Sequence, residues 1–486
     1  MGNTARFRRF GALVATAALA SGAAVALPAA KAAEPGTYSN PDYLLHDGDN
    51  VTRSFARQSG NVSDPAYQQA FLGTAAKSWL ALQGRQLDDL RRKRIYGTLG
   101  ELLPGGAVGD PKAYASVPFP QVFFKTRPGA QLSGRCWGAD APAGAPAKPA
   151  VVITTGSIQG TQHMYWWAAR TLATNGYVVF TWDVQGQGES ETFGHTYGTG
   201  AQTNDGVPFQ QEANFTEGTV DALRFFLSDS VHPYRPLPRT TDEVQAEQAL
   251  ERTTGEGINW FNPLSASFDH SRLGIVGHSL GASAVSKVQQ CSSDGTLWTT
   301  LPLCQGTPFP IKAVIGWDSL SSTGIVPVVP AMDQHADGYF LNPQPSPNAP
   351  DPTGHLAPLA AWRKAGIDTY SFTVRGGCHT EWTEIPYISF GTSYGLAMAD
   401  YYTLAWFDRY VKGDPSAATR LLAGPRDGIQ PWSAHGLSAN YLGGFTLHDP
   451  AGALVSADDL RAYSGLSLVG DWKGANADTW GAYSPR

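Results

Sequence analysis

Leu273-Gly274-Ile275-Val276-Gly277-His278-Ser279-Leu280-Gly281 is the stretch on which the reading of this chain turns. An apolar run ends in Gly-His-Ser-Leu-Gly, and a helix-compatible segment, Ala282 to Gln290, follows. A strand that passes into a helix through G-x-S-x-G is the setting of a nucleophile elbow. Gly277 and Gly281 lack a Cβ, so strand and helix can close tightly around a strained serine. Ser279 would then stand at the sheet edge with a helix N-terminus behind it. The same letters also suit an ordinary Gly-rich turn, but the flanking strand and helix favour the nucleophile.

A serine hydroxyl attacks poorly until a base takes its proton, and the base needs a third group to hold its tautomer. On such a sheet the partners follow in chain order, serine, then acid, then histidine. The histidines after Ser279 include His335, His355, His379 and His435. Only His379 directly follows a clear strand, Thr369 to Val374, and it lies where ligands of open α/β sheets gather. His335 and His355 lie among Asp, Gly and Pro and read as solvated loop residues. For the acid, Val326 to Asp333 reads as a short buried strand ending in a carboxylate, which makes Asp333 the first choice. Asp318, ending Ala313 to Asp318, is the alternative acid, and either could instead cap a loop. An oxyanion needs two preorganised N–H donors. Leu280, directly after the nucleophile, supplies one. Ser157, at the end of Val151 to Ser157, is the candidate for the second, with Ile158 its rival.

Alternating strands and helices predict an α/β fold built on a doubly wound, mostly parallel sheet. Gln121 to Lys125 and Gln131 to Trp137 read as paired edge strands, and Ala141 to Pro149 as a linker into the first central strand. His163 to Thr174, Thr216 to Leu227 and Tyr394 to Val411 read as helices, and Tyr177 to Trp182 as a strand. The expected organisation is an export segment over 1–32 and an N-terminal extension over 33–115 with a covering helix. A catalytic domain over 116–413 and an unassigned polar tail over 414–486 complete it. Insertions at 191–211 and 229–270 precede the nucleophile strand. A lid would come from them, and Trp260 and Phe261 would close an acyl pocket or simply pack on the surface. Asp47 to Asn50 resembles a calcium loop only faintly and lacks the further ligands.

Arg6, Arg8 and Arg9 precede an apolar stretch from Phe10 to Leu27, and Ala30-Lys31-Ala32 fits a cleavage site, the pattern of a secretory signal peptide. Losing that segment with Arg6, Arg8, Arg9 and Lys31 takes the net charge from −6 to −10. An acidic exported protein has no electrostatic case for nucleic acid. No run reaches the length of a membrane span. Charged residues are 16%, well under the roughly 25% usual for soluble domains, which suits a loop-rich extracellular protein. Of four cysteines, Cys291 and Cys304 flank one loop and are the expected disulfide; Cys136 and Cys378 are left over. No spacing suggests zinc, and no cofactor is expected.

Gly156 to Gln162, Trp166-Trp167, Leu172-Ala173 and Asn175 to Val179 resemble the matching segment of bacterial cutinases and polyester hydrolases. So do Gly277 to Gly281, Trp317-Asp318 ahead of Val326-Pro327, Asp333, and Gly376 to His379. The resemblance runs from about Pro149 to Asp414. It implies an α/β-hydrolase fold, a triad of Ser279, Asp333 and His379, and an acyl pocket walled by Trp317. Ser157 stands where that family has an aromatic residue, Leu280 where methionine is usual, and Ala282 replaces a glycine. Asp183 to Ser190 is instead similar to the D-x-x-G-x-G-x-S loop of general α/β hydrolases. The expected activity is cofactor-free cleavage of carboxylic esters with apolar or aromatic acyl groups, polyesters included, through an acyl-enzyme. Acyl transfer or peptide hydrolysis on the same fold, and a non-catalytic secreted binding protein, are the other readings.

Overall fold

A computed structural model gives the fold. It describes residues 119–139, 145–157, 160–195, 202–205, 211–236, 257–318, 320–336, 356–374, 379, 381–383, 393–423 and 443–458, with 241, 244, 245 and 248. The expected export segment, the N-terminal extension, the Asp47–Asn50 loop, Ile158, His355, Cys378 and His435 lie outside the described residues.

In chain order the strands are β1 (Gln121–Lys125), β2 (Gln131–Trp137), β3 (Lys148–Thr154), β4 (Val178–Trp182), β5 (Phe193–His195), β6 (Gln202–Asp205), β7 (Phe268–His278), β8 (Ile311–Trp317), β9 (Ala331–Ala336), β10 (Thr369–Val374), β11 (Gly443–His448) and β12 (Leu454–Ala457). The helices are α1 (Trp166–Thr174), α2 (Glu212–Phe226), α3 (Leu280–Val288), α4 (Leu356–Ala365), α5 (Ser393–Phe407) and α6 (Ala417–Ala423). Ten strands form one sheet in the order β1-β2-β4-β3-β7-β8-β9-β10-β11-β12, while β5 and β6 pair separately. The six central strands are parallel, and two antiparallel strands flank them at each end.

The central strands are Val- and Ile-rich and buried on both faces, as parallel strands under two helical layers must be. Side chains alternate between those layers. Val151 and Ile153 join Trp166, Leu172, Tyr402 and Trp406 of α1 and α5 in one core. Ala150 and Val152 join Val220, Leu223, Ala284 and Val288 of α2 and α3 in the other. From β3 the chain lays β4 on one side and later returns to lay β7 on the other. At this reversal the connections leave in opposite directions, and in open α/β sheets ligands gather at such a point, beyond the carboxyl ends of the strands.

The strand expected over Val326 to Asp333 is displaced. Pro327 and Pro330 have no N–H for a sheet ladder, so β9 starts at Ala331, and Asp333 is its third residue instead of its last. His335 is likewise a buried strand residue, not a solvated one. The tail after Gly413 supplies α6 and then β11 and β12, which extend the sheet beyond β10. Cys291 and Cys304 form a disulfide with Cα atoms 5.4 Å apart, and Cys136 is a buried free thiol. No helix among the described residues is long and apolar enough to cross a membrane.

Candidate active site

Ser279 sits between β7 and α3 with φ 57° and ψ −123°, a left-handed backbone that a residue with a Cβ rarely adopts. Two glycines permit this turn. A Cβ on Gly277 would lie 2.2 Å from the Gly281 carbonyl oxygen, and one on Gly281 would lie 2.4 Å from that of Thr155. The elbow is therefore pressed both onto itself and onto the end of β3. Ser279 N–H donates to the Trp317 carbonyl at 3.0 Å, tying the turn to β8. Leu280 is the first residue of α3, so its N–H has no partner within the helix.

His379, beyond the end of β10, bridges two groups. Its Nε2 is 2.7 Å from Ser279 Oγ and its Nδ1 is 2.5 Å from Asp318 Oδ2. An ionised carboxylate only accepts, so Nδ1 carries the ring proton and Nε2 is left with a lone pair for the serine O–H. Asp318 is fixed in turn, since its Oδ1 accepts from Ala336 N–H at 2.9 Å and its own N–H donates to Gln334 O at 2.6 Å. It too has a left-handed backbone, with φ 56°. His379 and Asp318 are nearly sealed, 7% and 4% exposed, whereas Ser279 is half-buried and reachable.

The carboxylate partner of His379 is thus Asp318 and not Asp333. Asp333 lies opposite Gly316 of β8, two residues short of Asp318, which at a strand's rise is about 6–7 Å further from the sheet edge. It is fully buried and accepts from the Leu320 N–H; burial first, then the charge of Asp318, hold its carboxyl well above the usual carboxylate range. The expected aromatic wall is displaced as well. Neighbouring strand residues face opposite ways, so Trp317 turns into the core. There it stacks on Tyr165 at 6.0 Å and meets Trp167 at a tilt at 5.2 Å, and its side chain has no exposed surface. Trp260 and Phe261 follow Asn259, whose N–H and side chain both bond to Phe123 of β1. That edge strand is four positions from β7, roughly 19 Å at the usual strand spacing, so these two rings do not border Ser279.

Ser157 stands where the β3 loop passes the elbow. A Cβ on Gly156 would come within 3.2 Å of the Ser279 Cβ, so the loop runs directly past Ser279. Gly156 N–H is already committed to the Tyr165 hydroxyl at 3.0 Å, so of the described residues 156 and 157 Ser157 stays the candidate donor, while its rival Ile158 lies outside the described residues. Gln187 clamps this loop, a role unseen in the sequence. Its Nε2 donates to Gly156 O at 2.9 Å, and its Oε1 accepts from Gly160 N–H at 3.2 Å. Next to it, buried Asp183 accepts from Gln162 N–H at 2.7 Å, from Gln162 Nε2 at 3.0 Å and from Glu189 N–H at 3.1 Å. Burial, and then the Glu189 carboxylate, push the Asp183 carboxyl up to about 7. Both residues belong to the Asp183–Ser190 motif, which was the available signal.

Among the described residues, no group of three or more His, Cys, Asp or Glu side chains could hold a metal ion. No protein-family model matches this chain, and no curated protein matches it.

Proposed function

We propose that this protein is an exported serine hydrolase that cleaves carboxylic esters through an acyl-enzyme, on an α/β-hydrolase fold. The observation that carries the reading is His379 bridging Ser279 and Asp318 at 2.7 and 2.5 Å beside a strained elbow. Ser279 Oγ attacks the ester carbonyl while His379 Nε2 takes its proton, and Asp318 stabilises the imidazolium that results. The Leu280 and Ser157 N–H groups receive the charge developing on the carbonyl oxygen. His379 then hands the proton to the leaving alcohol, and in a second round activates water against the acyl-enzyme. The Cys291–Cys304 disulfide supports an oxidising compartment, in keeping with the export-like N-terminus. Polyester cleavage rests on the cutinase-like motifs alone, since Trp317 is closed off in the core.

The test is hydrolysis of p-nitrophenyl esters of short and long acyl chains, an amide analogue and a polyester film, with covalent labelling by a fluorophosphonate. Ester turnover and labelling at Ser279 are expected, both lost in Ser279→Ala by about 10⁴-fold or more in rate. A folded protein that neither turns over esters nor takes the label sinks the proposal.

A further inference from the structure

Behind the nucleophile lies a chain of hydrogen bonds whose direction can be worked out atom by atom. His278 Nε2 is 2.7 Å from the main-chain carbonyl of His379. A carbonyl only accepts, so Nε2 carries the proton. His278 is fully buried, and its pKa is lowered to about 3, by burial first and then by the neighbouring His379. A neutral ring with its proton on Nε2 has a lone pair on Nδ1. That atom is 2.8 Å from the Tyr165 hydroxyl, which must donate to it. The phenol oxygen then accepts the Gly156 N–H at 3.0 Å. One polarised line runs from the oxyanion loop, through Tyr165 and His278, to the backbone that carries the general base.

From this line we infer that Tyr165 and His278 are positioning residues that set the oxyanion loop and the His379 main chain in register on opposite sides of Ser279. The inference rests on the hydrolase reading above. Each link has a partner on both sides, so none can turn without leaving a buried polar group unmatched. A flip of the His278 tautomer would aim a lone pair at the His379 carbonyl. The Tyr165 ring is held from rotating by its stack on Trp317, whose carbonyl receives the Ser279 N–H. Tight spacing completes the device, because a Cβ on Gly156 would lie 2.7 Å from His278 Nδ1.

Tyr165→Phe removes the donor to Nδ1 and the acceptor for Gly156 while keeping the stacked ring. His278→Gln keeps an amide donor for the His379 carbonyl and an oxygen for Tyr165, whereas His278→Leu keeps neither. For p-nitrophenyl acetate we expect Tyr165→Phe and His278→Leu to lower kcat about ten- to a hundredfold with KM nearly unchanged, since small misplacements of reacting groups weigh on the chemical step. His278→Gln should recover most of that loss. Folded Tyr165→Phe and His278→Leu proteins with parental kcat would overturn the inference, as would equal losses in the Gln and Leu variants. Fluorophosphonate labelling separates the two levels. A parent that takes no label refutes the hydrolase reading, and a parent and Tyr165→Phe labelled at the same rate refute only the positioning role. Nitrogen NMR of the unmodified protein needs no variant to fold. The His278 ring, identified by its contacts to Tyr165, should keep the Nε2–H tautomer from about pH 8 to about pH 4, across the ordinary histidine pKa of about 6.5. An Nδ1–H or imidazolium signal there contradicts the proposed line.

Discussion

Replacing Asp318 by asparagine tests the site at its most informative atom. In the native site, Oδ1 of Asp318 accepts from the Ala336 N–H and Oδ2 accepts from His379 Nδ1. An asparagine has one oxygen and one NH₂ for these two places. With NH₂ towards Ala336, two donors would face each other, so the amide must set its oxygen there. NH₂ then meets His379, and the imidazole answers with a lone pair on Nδ1 and its proton on Nε2. That tautomer cannot take the Ser279 proton. The loss expected from a wrong tautomer is about 10⁴ in kcat, or roughly 5.4 kcal/mol of barrier at 1.36 kcal/mol per tenfold. Asp333→Asn, by contrast, puts a neutral side chain where burial already favours the protonated acid, so kcat should stay within about threefold. Steady-state hydrolysis of p-nitrophenyl acetate by both variants, with circular dichroism as a check on folding, decides the matter. Asp333→Asn as the more damaged of two folded variants would show that His379 depends on Asp333 and not on Asp318.

Trp317→Ala should lower stability by about 3–5 kcal/mol in denaturant titration, as expected for a large buried ring. KM for acetate and long-chain esters should then move together, and a selective effect on long chains would restore Trp317 to an acyl pocket. Gly156→Ala inserts a methyl 2.7 Å from His278 Nδ1 and 3.2 Å from the Ser279 Cβ, so kcat should fall about a hundredfold, an effect that parental turnover would disprove. The pKa of Asp183 is raised from 3.8 to about 7, so between those values the folded state holds a proton that the unfolded state has released. Stability from this group is present below about pH 4 and lost as pH rises through about 7. The Tm of the parent should therefore fall relative to Asp183→Asn between pH 5 and pH 8, and a Tm difference independent of pH would mean that the three N–H donors keep Asp183 ionised throughout.

Much of the scaffold is legible in the sequence because period and punctuation agree there. Gln121 to Lys125, Gln131 to Trp137 and Thr369 to Val374 are strands to the residue. The elbow and His379 are equally plain, since each follows an unmistakable strand. The acid is not. Asp318 and Asp333 both sit in apolar runs, and the choice depends on the register of β9 against β8, which two prolines shift. Register also separates Trp317 from Asp318: neighbours in sequence, they face the core and the site. The placing of Trp260 and Phe261 at the far edge is set by Asn259 bonding to β1, a contact across 136 residues that no local pattern records. β11 and β12 are short, and of their side chains only Phe445 and Leu447 are fully buried in the core, so pairing with β10 and not a long hydrophobic period marks them as strands.

The left-handed backbones of Ser279 and Asp318 set two demands on the chain against each other. Each costs about 1–3 kcal/mol, and the two stand at the ends of adjacent strands. Stability and reactivity are therefore optimised by different residues at the same positions. Glycine at 279 would relax the turn without disturbing Gly277 or Gly281, and would give a molecule that is harder to unfold but chemically inert. Laboratory selection for heat resistance alone, with no demand for turnover, should drift towards that loss.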